Sequence, residues 1–175
     1  MRRRELLIGS IVGAIALPLR VLAKTKSEAV PQTIEKIHRS EEQWQKVLTP
    51  QQFHVMRREG TEPPFSSPLN DEKRQGIYVC AGCELALFSS ETKYESGTGW
   101  PSFFDSIPGH LDTKLDVKLI LPRTEYHCAR CESHQGHVFD DGPPPTGKRW
   151  CNNGVALKFM PDTAQHKRSK TLKPA

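Results

Sequence analysis

The chain has 175 residues, 36% of them hydrophobic, and its 12 glycines and 14 prolines suit a loop-rich fold better than a helical bundle. That length fits one domain with extensions, large enough to bury most of the apolar surface its unfolded form would expose. The formal charge is +5, but residues 1–23 carry four arginines against Glu5, and the tail beyond Met160 carries four cations against Asp162. The body between them is close to neutral, so no nucleic-acid partner is indicated.

Residues 1–23 open with Arg2, Arg3 and Arg4, continue as an apolar run from Leu6 to Leu17, and end on Val21, Leu22 and Ala23, small residues that suit cleavage. This reads as an export signal. The stretch from Arg3 to Leu7 resembles a twin-arginine signal, which delivers folded proteins to the bacterial periplasm. An uncleaved membrane anchor and an ordinary export signal are the alternatives, the anchor disfavoured by Pro18, Arg20 and a run just short of a comfortable span. Residues 24–39 are expected to be a linker, 40–160 the folded body, and 161–175 a frayed basic tail.

Ser40 with Gln43, and Thr49–Pro50 with Gln52, have the form of capping boxes, so two short helices are expected, the second ending at Gly60. The following stretch GTEPPFSSPLN is too rich in proline for a helix or a central strand and is expected to wrap the surface as a loop. From Gly76 onward short β-compatible runs alternate with Gly, Pro, Asp and Asn clusters: IYVC (77–80), LDVKLIL (115–121), EYHCA (125–129), HVF (137–139) and WCNNGVALKF (150–159). These predict antiparallel strands in a mainly β fold.

Four of the five cysteines form two pairs, Cys80-Ala-Gly-Cys83 and Cys128-Ala-Arg-Cys131, each following a strand-like run. Two such turns can close four thiolates tetrahedrally around one zinc ion, joining loops distant in sequence. A thioredoxin-like redox pair is an alternative, but neither pair sits in a βαβ context; structural disulfides also remain open in an exported chain. A zinc-ribbon binding module is a third reading, against which stand the long separation of the two pairs and the near-neutral body.

Cys151 is left alone, between Arg149-Trp150 and Asn152-Asn153. A lone cysteine is ordinarily a small buried hydrophobe. Here, if the segment is a strand, Arg149, Cys151 and Asn153 alternate onto one face, where a guanidinium can stabilise a thiolate and an amide can hold a polar group.

Three phrases resemble the methionine-R-sulfoxide reductase family of the B type: Gly97-Thr98-Gly99-Trp100-Pro101-Ser102-Phe103, the run from Ser133 to Pro143, and Arg149-Trp150-Cys151-Asn152-Asn153. With the two cysteine pairs, the resemblance covers about Ser40 to Met160. It implies two antiparallel sheets forming a partly open barrel, short N-terminal helices, and one structural zinc held by Cys80, Cys83, Cys128 and Cys131. It further implies that Cys151 attacks the sulfur of protein-bound methionine sulfoxide and becomes a sulfenic acid. His134 and His137 would then supply protons to the sulfoxide oxygen, Asp141 would orient Arg149 or a histidine, and Trp100 would wall the pocket for the substrate methyl group. Arg149 and Asn153 complete the implied catalytic set.

The sequence departs from the family pattern at Thr98, where many members carry a resolving cysteine, so the expectation is a one-cysteine cycle completed by a thioredoxin-like or other thiol reductant acting on a monomer. Trp150 and Asn152 also differ from the aromatic and aliphatic residues usual there, which bears on reactivity and substrate fit.

Overall fold

The computed structural model describes residues 33–118 and 121–162; the leader, residues 24–32 and the tail beyond 162 lie outside them. Both capping boxes form. Ser40 and Thr49 each accept the N–H of Gln43 or Gln52, whose side chains reach back to the cap N–H, starting α1 (Glu41–Val47) and α2 (Pro50–Arg58). Glu59, in the left-handed region, closes α2, with Gly60 one residue beyond. Trp44, Val55 and Met56 bury the inner faces of the two helices, and Arg39 and Arg57 sit over the Trp44 ring. Within the expected linker, residues 33–39 lie along the body: the Ile37 N–H donates to the Arg130 carbonyl at 2.7 Å, and Lys36 pairs with Asp112 and Glu132.

Nine strands follow among the described residues: β1 (Gly76–Cys80), β2 (Ala86–Ser89), β3 (Lys93–Tyr94), β4 (Ser102–Phe103), β5 (Leu111–Asp116), β6 (Arg123–Cys128), β7 (His134–Phe139), β8 (Arg149–Asn152) and β9 (Leu157–Pro161). They make two antiparallel sheets, ordered β2-β1-β9 and β3-β4-β8-β7-β6-β5, which do not close into a barrel. An aromatic core joins them. Tyr78 and Phe88 from the smaller sheet meet Phe103 from the larger, Phe88 and Phe103 stacking at 4.2 Å, while Trp150 packs edge-on against Tyr126 at 4.9 Å. No helix among the described residues is long and apolar enough to cross a membrane.

Two of the expected strands are placed differently. The run 115–121 is not a strand throughout: β5 stops at Asp116, and Leu115, Val117 and Leu121 are exposed. The run 150–159 is two strands in different sheets, broken by a 3-10 turn at Gly154–Ala156 that carries the chain from the larger sheet to the smaller.

Strand register decides which side chains share a face. Cys151 lies opposite His137, His137 opposite Glu125, and Glu125 opposite Lys114; two residues along, Arg149 faces Phe139 and Arg123 faces Asp116. Strict alternation would send His134 and His137, three residues apart, to opposite faces. A bulge prevents this. Tyr126 pairs with Gly136 but His127 pairs with His134, leaving Gln135 as the extra residue and returning His134 to the His137 side, their rings 5.5 Å apart. Gly136 permits the close approach of β8, since a Cβ there would stand 1.9 Å from the Cys151 carbonyl oxygen. Gly136→Ala is therefore expected to lower stability by about 1–3 kcal/mol, the usual range for overpacking, and to shift the Cys151 backbone; a thermal melt with an activity assay checks both effects.

Candidate active site and metal centre

Cys151, His137, Arg149, Trp100 and Asn153 line one cleft of about 260 Å³, together with Thr61, Thr98, Arg123 and Phe139. His134 and Asp141 stand behind this lining. His134 is almost fully buried beside His137, and Asp141, largely exposed, pairs with Arg149. The four remaining cysteines gather at a separate place.

The Cys151 thiol is pushed above its ordinary range, because burial disfavours the thiolate. Arg149's charge and the Thr98 hydroxyl, 4.0 Å from the sulfur, pull the other way by less. Arg149 thus acts in the sense expected from the sequence, but desolvation outweighs it. The guanidinium is locked in place: it donates two hydrogen bonds to Asp141, at 2.8 and 2.9 Å, and lies 4.2 Å over the Phe139 ring. That pairing holds the Asp141 carboxyl below its ordinary range.

Each histidine is held by its own carboxylate. His137 Nε2 meets Asp116 Oδ2 at 2.7 Å, and Arg123 donates to the same oxygen at 2.8 Å. The Lys118 N–H first, then His137 and Arg123, hold the Asp116 carboxyl far below its usual range. Burial lowers the proton affinity of His137 more than Asp116 restores it. His134 Nδ1 sits 2.7 Å from Glu125 Oε1; burial of Glu125 favours its protonated form, but hydrogen bonds from His127 and His134 outweigh this and hold it at about 2. A carboxylate only accepts, so Nδ1 of His134 carries a proton, and Nε2 is buried without a partner.

Asn153 does not continue the alternation of Arg149 and Cys151. β8 ends at Asn152, and the Asn153 carboxamide is engaged with backbone: Oδ1 accepts the Glu62 N–H at 3.0 Å and Nδ2 donates to the Gln135 carbonyl at 3.0 Å. It braces the cleft wall. The two departures from the family pattern face the core: Trp150 joins the aromatic cluster, and Asn152 Oδ1 accepts the Tyr126 hydroxyl at 2.8 Å.

Sequence reasoning missed Glu62, which lies in the stretch read as a surface loop yet is buried. Its carboxylate accepts the N–H groups of Gly154 and Val155, the free donors of the turn that breaks β8 from β9, and its carbonyl accepts the Trp100 indole at 3.1 Å. Burial raises the Glu62 carboxyl above its usual range, the two backbone donors opposing this. One residue therefore fixes the Trp100 wall and the segment after Cys151. Nothing in the local pattern, a single acid before two prolines, distinguishes it.

The Sγ atoms of Cys80, Cys83, Cys128 and Cys131 all lie within 4.8 Å of one another, with 3.6 Å between Cys80 and Cys131 and 3.5 Å between Cys83 and Cys128. Those separations exclude disulfides and fit a four-thiolate metal site, since a tetrahedral ion with metal–sulfur bonds of about 2.3 Å sets its sulfurs about 3.8 Å apart. The two knuckles repeat one backbone geometry. Glu84 and Glu132, both at positive φ, donate their N–H to the carbonyls of Cys80 and Cys128, each at 2.8 Å.

Residues 48–161 match the SelR domain family. The chain is 56% identical over 124 residues to a peptide methionine sulfoxide reductase MsrB of Methanosarcina barkeri, covering 70% of this chain and 87% of that one. It is 49% identical over 140 residues to the Bradyrhizobium diazoefficiens protein of the same name, covering 79% and 97%. The chain belongs to the methionine-R-sulfoxide reductase B family. It is an oxidoreductase, and the chloroplastic peptide methionine sulfoxide reductase B1 of Arabidopsis thaliana is a further relative, 42% identical over 152 residues and covering 83% of this chain and 75% of that one. Among solved structures, the Mis18 "Yippee-like" domain overlaps 51% of this chain and 99% of that chain, at 14% identity and a TM-score of 0.41.

The raised thiol has a direct readout. Because only the thiolate is alkylated, the iodoacetamide rate at Cys151 is expected to rise with pH through a midpoint above the ordinary thiol range. Arg149→Met should move that midpoint further up; an unchanged midpoint would show that the guanidinium does not act on the sulfur.

Proposed function

We propose that the chain reduces protein-bound methionine-R-sulfoxide to methionine through the Cys151 thiolate. The observation that carries the reading is one face on which Cys151, Arg149 and His137 meet in a cleft walled by Trp100. The thiolate attacks the sulfoxide sulfur; the oxygen gains a proton and passes to Cys151 as S–OH, while the substrate sulfur, reduced by two electrons, leaves as the thioether. His137 lines the cleft as the proton donor in its charged form, giving up the proton of the ring nitrogen that Asp116 does not hold, while Asp116, itself paired with Arg123, fixes the ring. His134, with its unpartnered Nε2, backs it. Trp100 offers an apolar face to the substrate methyl group.

An external thiol completes the cycle. It condenses with the sulfenic acid, releasing water and forming a mixed disulfide, which a second thiol resolves to free Cys151. Support comes from Thr98, whose hydroxyl lies 4.0 Å from the Cys151 sulfur and offers no resolving thiol, and from the other four cysteines lying together in the metal cluster. With excess dithiothreitol, the protein is expected to turn over a peptide carrying the R epimer and not the S epimer. Cys151→Ser should abolish the reaction, and mass spectrometry of the trapped enzyme should find no internal disulfide to Cys151. Turnover that survives in Cys151→Ser would overturn the reading.

Zinc is the metal we assign to the four thiolates, with a structural role: it would add no redox chemistry and would bind the turn after β1 in the smaller sheet to the turn after β6 in the larger. Stripping with a strong chelator is expected to release one zinc per chain, measured colorimetrically, and to lower the melting temperature sharply. A melting temperature unmoved by metal loss would count against a structural ion.

A further inference from the structure

Four residues other than glycine hold a positive φ among the described residues: Glu59, Phe65, Glu84 and Glu132. Three have a local reason. Glu59 caps α2, and Glu84 and Glu132 close the two cysteine knuckles. Phe65, at φ 62°, is different: it is bulky, a poor fit to the left-handed region, and 73% exposed. Strain of this kind persists only where surrounding contacts impose it, and an outlier beside a reacting cleft is a reason to ask what it does there.

The contacts that impose it run to the cleft wall. The Phe65 N–H donates to the Gly99 carbonyl at 2.7 Å, Asn70 Nδ2 donates to the same oxygen at 3.1 Å, and the Ser66 hydroxyl closes the turn on the Pro63 carbonyl at 2.7 Å. Gly99, at φ 91°, has no room for a side chain: a Cβ there would stand 2.8 Å from Pro64 Cβ and 3.0 Å from the Phe65 ring. Gly99 separates Thr98 from Trp100, both of which line the Cys151 cleft. Phe65 is therefore clamped against the rim of the substrate cleft with its ring turned out to water.

We propose that Phe65 is a specificity residue: its exposed ring receives an apolar side chain next in sequence to the oxidised methionine. The occupant is an extended polypeptide substrate, because the ring packs on Gly99, between Thr98 and Trp100 of the cleft that must hold its sulfoxide. This inference rests on the reduction proposed above. An aromatic anchor held rigidly at the edge of a site loses little conformational freedom on binding, which favours binding over a flexible contact.

The test compares kcat/KM, with dithiothreitol as reductant, on two R-sulfoxide peptides identical except that leucine or glycine flanks the sulfoxide. The wild type is expected to favour the leucine peptide. In Phe65→Asn, which suits the left-handed region but lacks the ring, that preference should fall about five- to tenfold, mostly through KM, the size of effect that partial burial of an aromatic ring produces. Phe65→Leu should keep most of the preference, and the Asn variant should melt no lower than the wild type. A wild type indifferent to the flanking residue, or an unchanged preference in Phe65→Asn, would overturn the assignment. Absence of turnover on both peptides by the wild type would instead overturn the reduction itself.

Discussion

The close passage of β8 over Gly136 is the constraint on which the active site depends. Two backbones meet there with no room for a Cβ, and the bulge at Gln135 next to it resets the alternation of β7. The consequence is electrostatic as well as geometric. Cys151, both histidines, Glu125 and Asp116 come to one face of the larger sheet, and each histidine acquires a carboxylate partner, His134 from the adjacent β6 and His137 from β5 beyond it. Carboxylates fix tautomer and ring orientation, so β5 and β6, neither of which carries Cys151, decide how the histidines are presented.

Burial and charge work against each other at Cys151. A cleft dry enough to favour charge-driven steps also disfavours the thiolate, and the Arg149–Asp141 pair reduces that penalty without removing it. His137 is displaced in the complementary sense, toward the neutral form. Both groups rest protonated or neutral in water and have their charged forms stabilised only by placed neighbours. This limits idle reactivity of a half-buried thiol and leaves charge to develop when a polar S–O group enters.

The cysteine knuckles and Glu62 solve one mechanical problem. Two sheets that do not close into a barrel need ties beyond their aromatic core. The knuckles after β1 and β6 bring a cysteine pair from each sheet together. The buried Glu62 carboxylate receives the N–H groups of the turn by which the chain passes from β8 to β9, and its backbone grips Trp100 and Asn153. The proline-rich stretch after α2 is thus a strut of the cleft.

Much was legible in the sequence because it depends on near neighbours. Capping boxes satisfy donors three residues away, paired cysteines form their turns locally, and an unpaired cysteine beside an arginine is visible as such. Thr98 in place of a cysteine could likewise be read directly. Tertiary structure decided what depends on distant backbones: the break after Asn152 that reassigns Asn153 to bracing, the bulge that reunites His134 with His137, the carboxylates of Asp116 and Glu125 behind them, and the burial of Glu62. It also settled the sign of the Cys151 shift, since desolvation is a property of everything packed around an atom, while a neighbouring arginine is all the sequence can display.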